Sequence, residues 1–310
     1  MRVRKILMLM WIVLLFALVG CQTSDVIETN EYDVQTPDVD LHVRMVGDPG
    51  SGCVMIAING GPGLTSNYMW DLEQLGGDGC AIVTYDQRSL GKSGEPINPD
   101  SRESYTLSKY TEDLEAVRQS VGIERAHLFG HSFGGIIAMQ YATQYPEKVA
   151  SLIFFGSGPP TWEGIEVSQH NFIARVTELI QEGIMPPPEE WKDDDIDPLL
   201  PAYFSDPKFT FPEGAVGGAP DFNQKVSDLT YPNLEEMDLR DELAMLHYPV
   251  LLFHGLDDPF GEQMPASIQD TFVQSSVDFV PIENCGHFWH ECPDAFYPRV
   301  ADFLKEQSQR

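Results

Sequence analysis

Between residues 41 and 305 the chain alternates short, almost continuously apolar runs with longer stretches of helical period. The runs 53–58 (CVMIAI), 80–85 (CAIVTY), 149–155 (VASLIFF) and 249–253 (PVLLF) are apolar at nearly every position, as strands buried on both faces are. Shorter runs at 32–34 and 41–46 open the pattern, 126–130 sits at its centre, and 277–281 closes it. Between them Tyr110, Leu114, Val117 and Val121 recur at helical spacing, and Gly122 supplies a stop. Helices are also predicted at 67–75, from 134 to Tyr145 before Pro146, and at 264–273 and 293–305. Strands alternating with helices at this interval predict an α/β fold: a mostly parallel, eight-stranded sheet with helices on both faces.

The rhythm breaks at 157–247, where Pro159-Pro160, Pro186-Pro187-Pro188 and Asp193-Asp194-Asp195 interrupt two helical stretches, 165–182 and 234–246. Because the sheet pattern resumes afterwards, this region reads as an inserted, largely helical lid. It divides the core into 32–156 and 248–310.

The first twenty residues read as an address. Arg2, Arg4 and Lys5 precede an apolar run from Ile6 to Val19, shorter than a comfortable membrane span and typical of a secretory leader. The run ends Leu18-Val19-Gly20-Cys21, which resembles the bacterial lipobox. The expectation is cleavage after residue 20, a lipid on Cys21, and a polar tether at 21–31. The domain would then be exported to the bacterial cell envelope and anchored to a membrane.

Charge narrows the partners. Nineteen Lys and Arg against 48 Asp and Glu give −29, which argues against nucleic acid and describes a heavily solvated acidic surface. Export also changes the reading of the cysteines. With Cys21 lipidated, four remain (Cys53, Cys80, Cys285 and Cys292), an even number in an oxidising compartment. Cys53 and Cys80 each open a strand-like run, while Cys285 and Cys292 bracket His287. Three pairings are open, with free buried thiols as the alternative to any of them. Neither paired C-x-x-C motifs nor H-E-x-x-H occurs, so no metal or other cofactor is expected.

The candidate chemistry centres on Gly130-His131-Ser132-Phe133-Gly134-Gly135. A serine between a strand and a helix must sit in a sharp turn for its hydroxyl to stand clear, and small residues two positions either side allow that approach. A serine hydroxyl is a poor nucleophile at neutral pH, so it needs a base, and the base an orienting acid. Two later segments supply candidates: Gly255-Leu256-Asp257-Asp258 at the end of an apolar run, and Asn284-Cys285-Gly286-His287 in the last loop.

These three signals, in this order, resemble the α/β-hydrolase superfamily from about Val39 to the C-terminus. Within it the chain resembles the prolyl aminopeptidase (proline iminopeptidase) branch of serine peptidases. The branch pattern H-G-G-P-G is matched by Asn59-Gly60-Gly61-Pro62-Gly63, with Asn59 in place of histidine. Its D-Q-R-G-x-G-x-S is matched by Asp86-Gln87-Arg88-Ser89-Leu90-Gly91-Lys92-Ser93, with Ser89 in place of glycine. The serine turn is the generic esterase-like form, lacking the tryptophan that this branch usually carries after the serine.

The resemblance implies roles. Ser132 would be the nucleophile, His287 the base and Asp258 the orienting acid, with Asp257 as alternative acid and His290 as alternative base. The N–H groups of Gly61 and Phe133 would form the oxyanion hole, and Asp86 and Arg88 a supporting ion pair. An aminopeptidase must also hold a free α-ammonium, for which Glu163, Glu166 and Glu178 are the lid candidates, with Trp162 and Phe172 available to line a proline slot. The expected activity is release of N-terminal proline or another small residue from short peptides through an acyl-enzyme. A carboxylesterase or lactonase with the same triad is the alternative enzyme, and a catalytically silent binding lipoprotein the alternative from another class.

Overall fold

The computed structural model describes residues 29–211 and 217–309, so the expected leader, Cys21 and the first part of the tether lie outside the described residues. Its strands are Thr29–Gln35 (β1), Asp40–Val46 (β2), Val54–Ile58 (β3), Ala81–Tyr85 (β4), Ala126–His131 (β5), Val149–Phe155 (β6), Pro249–Gly255 (β7) and Ser276–Ile282 (β8). They form one sheet in the order β1-β2-β4-β3-β5-β6-β7-β8. β2 runs antiparallel to β1 and β4, and every pairing from β4 to β8 is parallel.

The continuous apolar runs are explained by two cores, one on each face. Along β3, Val54, Ile56 and Ile58 enter one core, while Met55 and Ala57 enter the other. The same alternation holds in β6 (Leu152 and Phe154 against Ile153 and Phe155) and β7 (Val250 and Leu252 against Leu251 and Phe253). Helices Leu107–Val121 (α1) and Phe133–Gln144 (α2) cover the first face. The 3-10 segment Ser66–Asp78 and helix Pro293–Ser308 (α8) cover the second. α1 starts and stops as its sequence predicts: the Thr106 side chain accepts from Lys109 N, and Gly122 closes it at φ 78°.

Between β6 and β7 lie helices Trp162–Gln181 (α3), Leu200–Tyr203 (α4), Gln224–Thr230 (α5) and Arg240–Leu243 (α6), and Gln263–Thr271 (α7) follows β7. The predicted helix at 234–246 is reduced to α6. Its preceding backbone is engaged elsewhere: Thr161 bridges Asp238, Trp162 N donates to Met237 O, and Leu239 N to Pro160 O. β1 likewise starts at Thr29, inside the expected tether. Its exposed positions are held across the strands by ion pairs rather than apolar packing, with Glu31 meeting Arg44 at 2.5 Å and Lys92 at 2.6 Å.

The four cysteines pair as Cys53–Cys80 and Cys285–Cys292. The first joins the starts of the neighbouring parallel strands β3 and β4. The second closes the loop that carries His287.

α2 is tied to α1 by one carboxylate. Glu115 accepts from Arg118 at 2.8 and 2.7 Å and from the Tyr141 hydroxyl at 2.6 Å. Burial opposes its ionisation, but the hydrogen bonds from Arg118, Tyr141 and Gln119, with the Arg118 charge, outweigh that and bring its pKa down to about 2. A lowered carboxyl stabilises the fold above its ordinary range and loses that contribution as the pH falls toward 2. Glu115→Gln is therefore expected to cost about 1 kcal/mol at pH 7, allowing for solvent screening. The deficit should shrink as the pH is lowered through 4.5, which urea unfolding of both forms across pH 3–7 would measure.

Candidate active site

The turn between β5 and α2 carries Ser132 at φ 53° and ψ −121°, a conformation that an L-residue holds only under strain. Bare backbone around it makes this possible. A Cβ on Gly130 would stand 2.6 Å from Gly135 Cα, and one on Gly134 would collide with the carbonyl of Ile58. α2 can thus press against β5 and β3, with Phe133 at its first position directly after the serine.

His287 reaches the same place from the last loop. Its Nδ1 stands 2.8 Å from Asp258 Oδ2, and both groups are buried. Burial opposes ionisation of Asp258, yet the facing His287 and the N–H of Phe260 outweigh it and hold the carboxyl below its ordinary range. With Nδ1–H donated to that carboxylate, Nε2 is the free lone pair; it is buried and has no hydrogen-bond partner among the described residues. The ring is confined between His131, at 4.8 Å between centroids, and Phe260, at 4.7 Å. Ser132 and His287 line one cavity of about 180 Å³, and Ser132 Oγ makes no hydrogen bond among the described residues.

The alternative acid and base point elsewhere. Asp257 is exposed and accepts from Ser205 Oγ at 2.7 Å. His290 Nε2 lies 3.0 Å from the Tyr68 carbonyl and 3.1 Å from Asp71 Oδ2, and it does not line the cavity.

Gly61 borders the cavity at φ 120°, where a Cβ would come within 2.8 Å of Leu64 N. Asn59, standing where the resemblance led one to expect histidine, shapes this loop from below: its Nδ2 donates to Leu64 O at 2.5 Å. Ser89, in place of a glycine, holds φ 63°, which explains why the pattern has glycine there; its hydroxyl meets Tyr105 OH at 2.8 Å. The expected Asp86–Arg88 ion pair does not form. Asp86 accepts from Ser66 Oγ at 2.7 Å and Lys92 N at 2.8 Å, holding two loops together. Arg88 turns the other way, to Asp113 at 2.8 Å and Asp38 at 3.0 Å.

The segment between β6 and β7 forms the opposite wall, through Ile165, Gln169, Tyr203, Gln224 and Tyr231 among others. None of Glu163, Glu166 and Glu178 lines it; all three are exposed. Trp162 packs against the first core, and Phe172 stacks on Phe260 at 4.9 Å instead of facing the cavity. Among the described residues no cluster of three or more His, Cys, Asp or Glu side chains is arranged to hold a metal.

Sequence reasoning missed Tyr68. Its hydroxyl accepts from Gly60 N at 2.7 Å and lies 2.7 Å from His131 Nδ1, while His131 Nε2 lies 2.9 Å from the His287 carbonyl. Burial, and then the neighbouring His287, keep the His131 pKa well below the usual imidazole range. A neutral His131 that donates from Nε2 to a carbonyl must accept at Nδ1, so Tyr68 donates there. Every direction in the chain is fixed. It links the Gly60-Gly61 loop, the serine turn and the His287 loop, three segments with no sequence proximity.

The Alpha/beta hydrolase family profile matches residues 54–299. The chain is similar to the proline iminopeptidase of Lactobacillus helveticus, with 27% identity over 288 residues, covering 87% of this chain and 96% of that one. With the proline iminopeptidase of Clostridium botulinum it shares 34% over 147 residues, 46% of this chain and 48% of the relative. The fold superposes on the solved proline iminopeptidase of Mycobacterium smegmatis with a TM-score of 0.68 at 20% identity, over 90% of this chain and 99% of that one. It superposes on an esterase from Exiguobacterium antarcticum with a TM-score of 0.62 at 18% identity, over 91% and 100%.

Tyr68→Phe would leave the Gly60 N–H and His131 Nδ1 without their shared partner inside the protein. A loss of about 1–3 kcal/mol in stability is expected by denaturant unfolding. A change below 0.5 kcal/mol would mean that the chain does not hold the three segments together.

Proposed function

The chain belongs to the alpha/beta hydrolase family, and from that premise we propose that it is a serine hydrolase working through Ser132, His287 and Asp258. The observation that carries the reading is the buried His287 whose Nδ1 is held by Asp258 at 2.8 Å and whose free Nε2 belongs to a ring lining the same cavity as Ser132. In the reaction Ser132 Oγ attacks the substrate carbonyl as His287 Nε2 takes its proton. The tetrahedral oxyanion accepts from the N–H groups of Gly61 and Phe133, and His287 returns the proton to the leaving group. Water, deprotonated by the same imidazole, then cleaves the acyl-enzyme. An oxyanion donor of this kind typically contributes about 3 kcal/mol to lowering the barrier. The Ser132–His287 hydrogen bond, not made among the described residues, forms when substrate fills the cavity.

Two substrate readings have support. The names of the relatives favour a peptide, cleaved after an N-terminal proline or another small residue. The generic serine turn, Asn59 and a cavity wall without Glu163, Glu166 or Glu178 favour a small ester. Leu18-Val19-Gly20-Cys21 supports a lipid-anchored protein of the bacterial cell envelope, and two disulfides suit an oxidising compartment.

A fluorophosphonate probe is expected to label the wild type and fail on Ser132→Ala; labelling that persists in the variant rules out Ser132. Asp258→Asn should lower kcat by roughly 10³–10⁴ with little change in KM, as loss of the orienting carboxylate does elsewhere. Steady-state kinetics on a short-chain nitrophenyl ester and on a prolyl anilide would measure this and rank the two substrate classes.

A further inference from the structure

The wall of the cavity is assembled from Ile136, Ile165, Ile196, Leu199, Met264 and several aromatic rings, interrupted by neutral polar groups such as Ser168 and Gln169. Its titratable side chains, among the described residues, are His131, His287, Tyr203 and Tyr231. His131 is held neutral, and burial raises both tyrosines above the usual phenol range, so each stays protonated and uncharged. No carboxylate of the described residues borders the space. This contrasts with a chain that carries 48 acidic residues.

Where the acids do come close, they stand outside. Gln224 borders both this cavity and a separate surface depression lined by Asp100, Asp193, Asp194 and Asp228. Its backbone N–H donates to Asp194 and its side-chain amide to Asp228, both at 2.7 Å. The amide therefore spends one of its two N–H donors on the acidic side.

We propose that the site selects an uncharged, apolar acyl group and discriminates against one bearing a free ammonium. The proposal rests on the serine hydrolase reading above and adds its substrate class. An ammonium entering this cavity gives up its hydration and meets no counter-charge among the described residues, a loss that ordinarily keeps lone charges out of protein interiors. The aromatic rings return only part of it, because cation–π attraction is weaker than the desolvation it must offset. A saturated carbocycle has no such cost and gains from burial against the isoleucines and rings. The preference runs against the α-ammonium that an N-terminal residue presents.

A matched pair isolates the charge. Benzyl cyclopentanecarboxylate and L-proline benzyl ester share ring size, leaving group and reacting carbonyl, and differ chiefly in the ring amine. At pH 6.5 kcat/KM for the carbocyclic ester is expected to exceed that of the prolyl ester by roughly 100-fold or more, the discrimination that an unpaired buried charge imposes. The gap should narrow as the pH rises past about 8, where an α-amino group loses its proton. A prolyl preference at pH 6.5, or equal rates, overturns the inference.

A second readout does not need turnover. Cyclopentanecarboxamide should protect Ser132 from the fluorophosphonate probe at concentrations where L-prolinamide does not, and equal or reversed protection overturns the inference. Gln169→Glu, which puts a carboxylate on the wall, is expected to move the ester ratio at least about tenfold toward the prolyl compound, and an unmoved ratio means that counter-charge does not set the preference. Failure of the probe to label the wild type at all sinks the serine hydrolase reading itself. Labelling accompanied by a prolyl preference sinks only the substrate class.

Discussion

The architecture of the site depends on how closely one helix can approach two strands. α2 begins against β5 and β3 with no side chain on Gly134 or Gly135 to hold it off, and Gly130 leaves β5 equally bare. Only with that approach can the chain reverse at Ser132, whose backbone sits at φ 53°. The strain is sustained because β5 lies in the middle of a sheet buried on both faces, hydrogen-bonded to β3 on one side and β6 on the other. Local backbone energy is spent where the surrounding packing is most redundant. The oxyanion hole proposed above draws on the same contact, since the first N–H of α2, that of Phe133, has no intrahelical acceptor.

Parallel topology then does the gathering. Strands running in the same direction deliver their C-terminal ends to one edge, and β3, β5 and β7 end in the Gly60-Gly61 loop, Ser132 and the Asp258 turn respectively. Edge delivery alone leaves the loops free to drift. Two kinds of bond fix them. One is the Tyr68–His131 chain, directional and buried. The other is Glu291, whose carboxylate accepts from Gly286 N at 2.8 Å, Ser205 N at 2.9 Å and Asp206 N at 3.1 Å, fastening the His287 loop to the segment between β6 and β7. Tyr203 adds its carbonyl to His287 N at 2.8 Å. The inserted segment is therefore part of what orients the imidazole as well as a wall of the cavity.

What could be read from the sequence was what depends on periodicity or on near neighbours. The runs at 53–58 and 149–155 exposed a doubly buried sheet because both faces of each strand need apolar side chains. Asp258 was preferred to Asp257 through the resemblance, which places the acid three residues after the strand-end glycine, here Gly255; the structure turns Asp258 to His287 and leaves Asp257 exposed. The run at 32–34 marked β1, but its first residues, 29–31, escaped because they are polar and pair through Glu31, Arg44 and Lys92, which no hydrophobic pattern registers. The stretch 234–246 has helical spacing of apolar residues, yet its backbone groups are taken by residues 160–162. Tyr68 was invisible for a related reason: its role exists only once residues 60, 131 and 287 have been brought together. Chemistry carried by a chain of long-range hydrogen bonds leaves no periodic trace.

The separation between an acidic exterior and a cavity that no carboxylate of the described residues borders has its own physical logic. The reaction proposed for Ser132 develops negative charge on the substrate oxygen, a few ångströms from the cavity wall, in a space where water screens little. A carboxylate on that wall would oppose the charge that the proposed donors, the Gly61 and Phe133 N–H groups, would stabilise. Asp258 sits behind His287, so in the proposed reaction its charge would be balanced as the imidazole takes up its proton. A peptidase that recognises an ammonium must accept some repulsion, because its counter-charge has to stand near the reacting carbonyl. An enzyme for uncharged acyl groups is free of that conflict, and it can carry 48 acids on the remainder of the chain for solubility without lessening the field at the oxyanion.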